Sequence, residues 1–218
     1  MAALGFHCSP FSSPQMPQPI TLTARLYEHI EPLDRGGRYE DVLDSALREA
    51  SLGEVTGGGS QLGDHGEIEF VDIEITVNNL DRALPVIIDT LERSGAPVGS
   101  QVLGTHDVTR EFGKQQSVAV YLDGITLPDE VYANLDFDDL VDKLTTAAGA
   151  DSYHGCWQGA EETGLFFFGA SAEAIFARLE AVLQQVPIGQ NARVVIRQAP
   201  DVSLHRTVRM PRQWLRPA

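Results

Sequence analysis

Apolar positions along the chain change their period several times, and those changes divide it into elements. Ile20, Leu22, Ala24 and Leu26 alternate with polar neighbours, the period of a half-buried strand. Tyr39, Val42, Leu43, Ala46, Leu47 and Ala50 then recur at helical spacing opposite Glu40, Asp41, Asp44, Arg48 and Glu49, with Gly53 placed to stop the helix. Asp34 to Gly37 reads as the turn between the two. Val55 to Val77 reads as a hairpin turning at Gly63-Asp64-His65-Gly66, residues that accept left-handed backbone. Leu80, Ala83, Leu84, Ile87, Ile88 and Leu91 form a second helical stripe, and Ser100 to Leu103 closes the series as a short strand. Pro85 is awkward inside that stripe. With Asp81 as the cap it falls near the end of the first turn; any deeper it would cost about 3 kcal/mol.

The same series then restarts. Gln116 to Leu122 is a strand, Asp136 opens a helix to Ala148, Tyr153 to Phe168 is a second hairpin, Ser171 caps a helix to Val186, and Ala192 to Arg197 ends as a strand. Gly57 and Gly66 recur at the same spacing as Gly155 and Gly164, and Pro97-Val98-Gly99 is echoed by Pro187-Ile188-Gly189. Each half is β-α-β-β-α-β, the split βαβ arrangement of ferredoxin-like folds. The expected class is therefore α+β, two tandem ferredoxin-like units with antiparallel sheets, with duplication of one unit as the simplest origin. The expected boundaries are a disordered tail over 1–19, a first unit over 20–104, a connector over 105–115, a second unit over 116–198 and a basic tail over 199–218.

Strand faces carry the next inference. Leu165-Phe166-Phe167-Phe168 is apolar at both parities, although a lone plait covers only one sheet face with helices. Along Glu67 to Val77 the apolar side changes parity around Phe70 and Val71. A bulge would do this; burial of both faces would do it too. The second account is preferred, with Ile68 and Phe70 facing Phe166 and Phe168 and the two sheets packed face to face. In unit order and strand apolarity, over about residues 20 to 197, this resembles the dimeric α+β barrel superfamily, which includes small monooxygenases and isomerases. The resemblance implies a fold and no activity.

Charge narrows the range of partners. The formal net charge is −15, and it is uneven: residues 1–190 hold 10 Lys and Arg against 30 Asp and Glu, whereas 191–218 hold 6 Arg against Asp201. Such a body repels nucleic acid and anionic lipid and favours a basic protein partner. The basic end is expected to dock on its own body or on a second copy in a homo-oligomer. No apolar run approaches the length of a membrane span, no signal peptide is evident, and two cysteines, Cys8 and Cys156, suit a reducing, cytoplasmic compartment.

Candidate chemistry is sparse. Gly57-Gly58-Gly59-Ser60 lacks the lysine and following helix of a phosphate loop and reads as a twisted strand. Asp64, His65, Glu67, Glu69, Asp72 and Glu74 form a dense acidic group, but alternate strand residues point to opposite faces and split it. No metal site or cofactor is expected from it, and a partner-contacting patch is the functional reading. Tyr153, His154, Cys156 and Trp157 are the most chemically capable cluster, with His154, Tyr153 and Cys156 as catalytic candidates and Trp157 as a contact residue. Hairpin packing is the competing account. Two functional classes follow: a non-catalytic acidic interaction protein of immunity or adaptor type, or a small-molecule-binding or enzymatic barrel with a roomy cavity holding His154 or His65.

Overall fold

β1 (Ile20–Leu26) runs through the middle of the first sheet, antiparallel to β3 (Ile68–Val77) on one side and to β4 (Ser100–Gly104) on the other. β2 (Gly53–Leu62) lies outside β3, and the sheet order is β2-β3-β1-β4 followed by a fifth strand, β5 (Thr109–Phe112). α2 (Asp41–Glu49) and α3 (Leu80–Arg93) cover one face, where Leu43, Leu47, Ile87 and Leu91 bury Leu22, Ala24, Leu26, Ile73 and Ile75. The computed structural model describes residues 18–104, 109–201 and 203–211. Almost all of the expected N-terminal tail, part of the connector and the end of the basic tail lie outside those residues.

The second sheet repeats the arrangement. β6 (Gln116–Asp123) is central, β8 (Glu162–Gly169) and β7 (Tyr153–Gln158) lie to one side, and β9 (Arg193–Arg197) lies to the other, bordered by β10 (Arg206–Arg209). α5 (Phe137–Ala148) and α6 (Ala172–Leu183) pack on one face around Val118, Val120, Leu165, Phe167 and Val194. A short helix, α4 (Asp129–Ala133), precedes α5. The protein is thus an α+β chain of two ferredoxin-like units with antiparallel sheets. Among the described residues no helix is long and apolar enough to cross a membrane.

Several local expectations change. The connector and the basic end each supply an edge strand, β5 and β10. Both are four residues long and carry charges, so neither shows alternation over a readable length, which suits an edge that must not recruit a neighbour. Docking of the basic end on its own body is thereby seen directly in the β10–β9 pairing. Asp34 to Gly37 is no turn. The chain winds from α1 (Pro32–Arg35) through a π-helical stretch, Gly36–Glu40, straight into α2. The extra residue of that π turn puts Tyr39 in the core while Arg38 points to the second unit.

The parity change in β3 is a bulge, not burial on two faces. Gln61 pairs with Phe70 but Leu62 pairs with Ile68, so Glu69 is the extra residue. Ile68 therefore joins Val71 and Ile73 in the first core, while Phe70 lies outside it against Tyr27, ring centroids 5.9 Å apart, with the Arg25 guanidinium 3.8 Å above its ring. Phe166 and Phe168 meet two histidines instead. His29 stacks on Phe166 at 4.0 Å and His154 on Phe168 at 4.5 Å. The open faces of the two sheets meet around Tyr27 and His29, while on the first sheet Thr21 and Glu74 are exposed.

α3 is capped by Asn79, whose side chain accepts from the Arg82 amide at 3.0 Å, and not by Asp81. Pro85 is then the sixth helical residue and deletes a bond to the Asp81 carbonyl. Replacing it, Pro85→Ala, should raise the unfolding free energy in urea by about 1–3 kcal/mol, after allowing for the entropy that proline removes from the unfolded chain. An unchanged or lower midpoint would show that the helix accommodates the ring at no cost.

Candidate functional site

β7 begins the site because its register is broken. Tyr153 pairs with Phe167 and Cys156 with Leu165, so an extra residue sits at Gly155, whose φ of 118° is one that side chains rarely adopt. The bulge resets the alternation. His154 and Trp157 end on the side facing the first unit, while Tyr153 packs into the second core with its ring 5.5 Å from that of Phe167. Burial, reinforced by Cys156, pushes the Tyr153 hydroxyl above its ordinary value. Cys156 itself is exposed. Tyr153 and Cys156 therefore meet on the helix side of β7, while His154 points the other way and does not join them.

His154 is sealed. Its Nδ1 lies 2.6 Å from Glu28 Oε1 and its Nε2 lies 2.5 Å from a guanidinium nitrogen of Arg38. Arginine only donates, so Nε2 must accept, and the ring hydrogen sits on Nδ1 and is given to Glu28. The Tyr39 hydroxyl donates to the other Glu28 oxygen at 2.5 Å, and the Arg38 guanidinium stands 3.8 Å from Oε1. Burial and the Glu28 charge push the Tyr39 hydroxyl far above its ordinary value, so it stays a donor. Glu28 is fully buried, and its two oxygens are met from both units. Neither imidazole nitrogen is free to meet a substrate.

Two openings flank this joint. A cleft of about 120 Å³ lies over Phe166, Ala119 and Val195, walled by Tyr27, His29, Tyr121 and Arg197. Burial, with the charge of Arg197 added, lowers His29 to about 4. The cleft is smaller than the roomy cavity expected of an enzymatic barrel, and neither His154 nor His65 lines it.

The second opening is a groove of about 780 Å³ on the far side of Tyr121, and it gathers four of the candidate residues. Asp64 and His65 come from the first hairpin turn, closed by Gly63 N–H to the Glu67 carbonyl at 2.8 Å, and Glu67 follows directly. Trp157 comes from β7, its ring folded over Gly159 so closely that a Cβ there would lie 2.2 Å from it. Asp123, Glu161, Glu162, Arg193 and Arg209 complete the charges. Arg193 is bound by both oxygens of Glu162 and covers the Tyr121 ring at 3.9 Å, and Arg209 is held by Asn191. Burial alone would push the Asp123 carboxyl up. Hydrogen bonds from the Thr126 hydroxyl, the Ile125 and Thr126 amides and the Asn191 amide outweigh it and hold Asp123 down at about 2. Asp64, Glu67 and Glu161 have no ion-pair partner among the described residues, and one oxygen of Glu67 is buried without a hydrogen bond.

The remaining acidic candidates lie elsewhere. Glu69 is the exposed bulge residue, Asp72 is clamped by Arg25 through two bonds of 2.8 Å, and Glu74 is exposed near Gly57. Among the described residues no three His, Cys, Asp or Glu side chains form a metal-holding group. A pocket of about 450 Å³ beside α4 and α5 has an apolar floor of Leu127, Val131, Leu135 and Ile188; at its rim Asp136 caps α5 and Lys143 pairs with Asp139. The joint residues Glu28, Arg38 and Tyr39 escaped the sequence reading. Glu28 did leave a signal: a carboxylate at the inward parity of Leu26 and Ile30 needs buried partners.

No family model matches the chain, and no curated protein matches it. Solved structures with weak likeness include the regulatory subunit of aspartate kinase from Thermus thermophilus, at 13% identity over 76% of this chain and 92% of that one, TM-score 0.25. An unknown protein from Galdieria sulphuraria is 10% identical over 83% and 97%, TM-score 0.27. A candidate monooxygenase from Lactobacillus acidophilus NCFM is 12% identical over 88% and 97%, TM-score 0.27. At such scores none of them carries an argument about the site.

The joint has a measurable worth. Glu28→Gln should cost about 2–4 kcal/mol in urea unfolding because Arg38 loses its carboxylate in a buried setting, and Tyr39→Phe about 1–2 kcal/mol. A Glu28 variant as stable as the parent would remove the joint from the account. Stability should also depend on pH in two windows. The unfolded His29 protonates near 6.5 but the folded one only near 4, so the unfolded state binds more protons between those values and stability falls as pH drops from about 6.5 to 4. His29→Gln should flatten that slope. Asp123 acts lower: its stabilisation is full above about 3.9 and is lost as pH falls towards 2, so Asp123→Asn should alter only the acid limb.

Proposed function

We propose that the chain is a non-catalytic binding protein whose groove between the first hairpin turn and β7 receives a cationic group, the amine or guanidinium of a basic protein partner. The observation that carries this reading is the set of carboxylates on Asp64, Glu67 and Glu161, which have no counter-ion among the described residues and stand beside the Trp157 ring in one groove. Carboxylates together with an aromatic face are what an ammonium or guanidinium binds, through charge-assisted hydrogen bonds and cation–π attraction. The arginines that line the groove do not cancel the charge: Arg193 is matched by Glu162, and Arg209, held by Asn191, stands against the four further carboxylates of Asp64, Glu67, Asp123 and Glu161. The acidic surplus of the whole chain adds long-range attraction for such a partner and raises its rate of encounter. The engagement of His154 supports the non-catalytic side: Glu28 and Arg38 occupy both of its ring nitrogens.

An oligoarginine peptide titrated calorimetrically tests the reading. Asp64→Asn combined with Glu67→Gln should raise the Kd tenfold or more, about 1.4 kcal/mol, and added salt should weaken binding to the parent. Asp138→Asn combined with Asp142→Asn removes the same charge from the exposed face of α5 and should leave the Kd within about twofold. Equal loss in the two double variants would mean that net charge alone attracts the peptide, and the groove would have no part in it.

A further inference from the structure

The cleft over Phe166 has the opposite chemistry from the groove, and its strongest feature is Arg197. Five described arginines are not fully exposed, namely Arg25, Arg35, Arg38, Arg193 and Arg197. The first four each stand within ion-pair distance of a carboxylate: Asp72, Glu40, Glu28 and Glu162. Arg197 has none among the described residues. One of its terminal nitrogens donates to the Tyr27 and Val98 carbonyls at 3.2 and 3.1 Å, and its Nε is buried with no partner. A guanidinium taken out of water without an anion is costly, and burial lowers its proton affinity accordingly. Across the same cleft the Nδ1 of His29 is also buried and unpartnered. The other walls are aromatic or small: Tyr27, Tyr121, Phe166 and Phe168, with Ser117 and Ala119 below and the exposed His205 at the rim. No carboxylate lines the cleft among the described residues.

We propose that this cleft is a binding site for a small organic carboxylate with a flat apolar body, which lies among the aromatic walls of the cleft and gives its oxygens to the Arg197 guanidinium. The size agrees. A volume of about 120 Å³ holds roughly four waters, the bulk of a single-ring or short-chain acid and too little for a nucleotide or a peptide. The polarity agrees as well. A carboxylate accepts in its own plane from a guanidinium, and Arg197 has no other anion among the described residues, while Tyr27, Tyr121, Phe166 and Phe168 offer an apolar body flat surfaces. Inorganic anions of similar charge satisfy Arg197 but leave the aromatic walls wetted, so the apolar body is what separates the two. This site is independent of the proposed groove and survives the groove's failure.

The test uses benzoate as probe on the full chain, with phosphate and chloride at the same ionic strength as comparisons, read by calorimetry and by the shift of the thermal midpoint. Benzoate should bind at one site and raise the midpoint with concentration, while phosphate and chloride do neither. Arg197→Gln should weaken benzoate at least tenfold. Because Arg197 also anchors the Tyr27 and Val98 carbonyls, that variant can fail to fold. Ala119→Leu is the second variant, since it fills the cleft from β6 without touching the charge and should abolish binding while the unfolding midpoint stays near the parent's. No benzoate binding at millimolar concentration would overturn the proposal. So would a response to phosphate equal to that to benzoate, or an Ala119→Leu variant that folds and still binds.

Discussion

A buried carboxylate holds the two units to each other. Glu28 leaves the end of β1 at a core position and is wholly removed from water, which is tolerable only because each oxygen receives a donor and a guanidinium stands close by. The donors come from three places. Tyr39 and Arg38 lie on the π turn of the first unit, and His154 lies beside the bulge of β7 in the second. Each depends on a local irregularity to reach the joint, so the π turn and the Gly155 bulge belong to one device. The neutral imidazole is the middle of a chain that runs from carboxylate to guanidinium, with every hydrogen assigned by the fact that arginine cannot accept. Such an arrangement fixes register between the units more firmly than apolar packing would, because a one-residue slip leaves a buried charge alone.

The joint also fixes where Tyr27 and His29 meet the second sheet. Tyr27 and His29 are carried over the second sheet by the same extension that delivers Glu28; His29 covers Phe166, and His154 covers Phe168. The rest of the first sheet's open face holds Thr21, Thr23, Arg25, Asp72 and Glu74, side chains that tolerate water. The result is a wedge-shaped seam. Tyr121 stands in it as a wall, lining both the small cationic cleft and the larger anionic groove.

Much of the architecture was legible in the chain. Period-two and period-3.6 stripes marked the strands and helices of both units, and the apolar run Leu165 to Phe168 gave away burial on both faces of β8, which Leu165 and Phe167 realise toward the helices and Phe166 and Phe168 toward the first unit. What could not be read was register. Glu69 and the residue at Gly155 each shift one strand by a single position, which moves every later side chain to the other face, and no composition rule marks them. The reading of Ile68 and Phe70 as partners of Phe166 and Phe168 failed for that reason. The groove was half visible: Asp64, His65, Glu67 and Trp157 were singled out, but from two clusters that only the fold brings together. Glu28, Arg38, Tyr39, His29 and Arg197 were missed because their partners lie far off in sequence, and a lone charged residue in a strand end is ordinarily a solvated one.

The two openings stand under the same long-range field and should respond to it in opposite senses. The chain carries −15, so a cation approaching the groove is drawn in over distances comparable with the Debye length, about 8–10 Å at ordinary ionic strength. Salt screens that attraction and weakens the contact. A small anion approaching the cleft is repelled by the same field and would have to be held by short-range contacts with Arg197, where water is excluded and screening is weak. Salt then removes a cost and leaves the local gain nearly intact. Glu67 ties the two together. It lines the groove, and its charge is felt at His29, at Tyr121 and at Arg193, so neutralising it with a bound cation lessens the repulsion at the cleft beyond the Tyr121 wall. Were both proposed sites to fill, their occupancy would be coupled through a field and not through a moving part, with a positive sign set by the opposite charges of the two ligands.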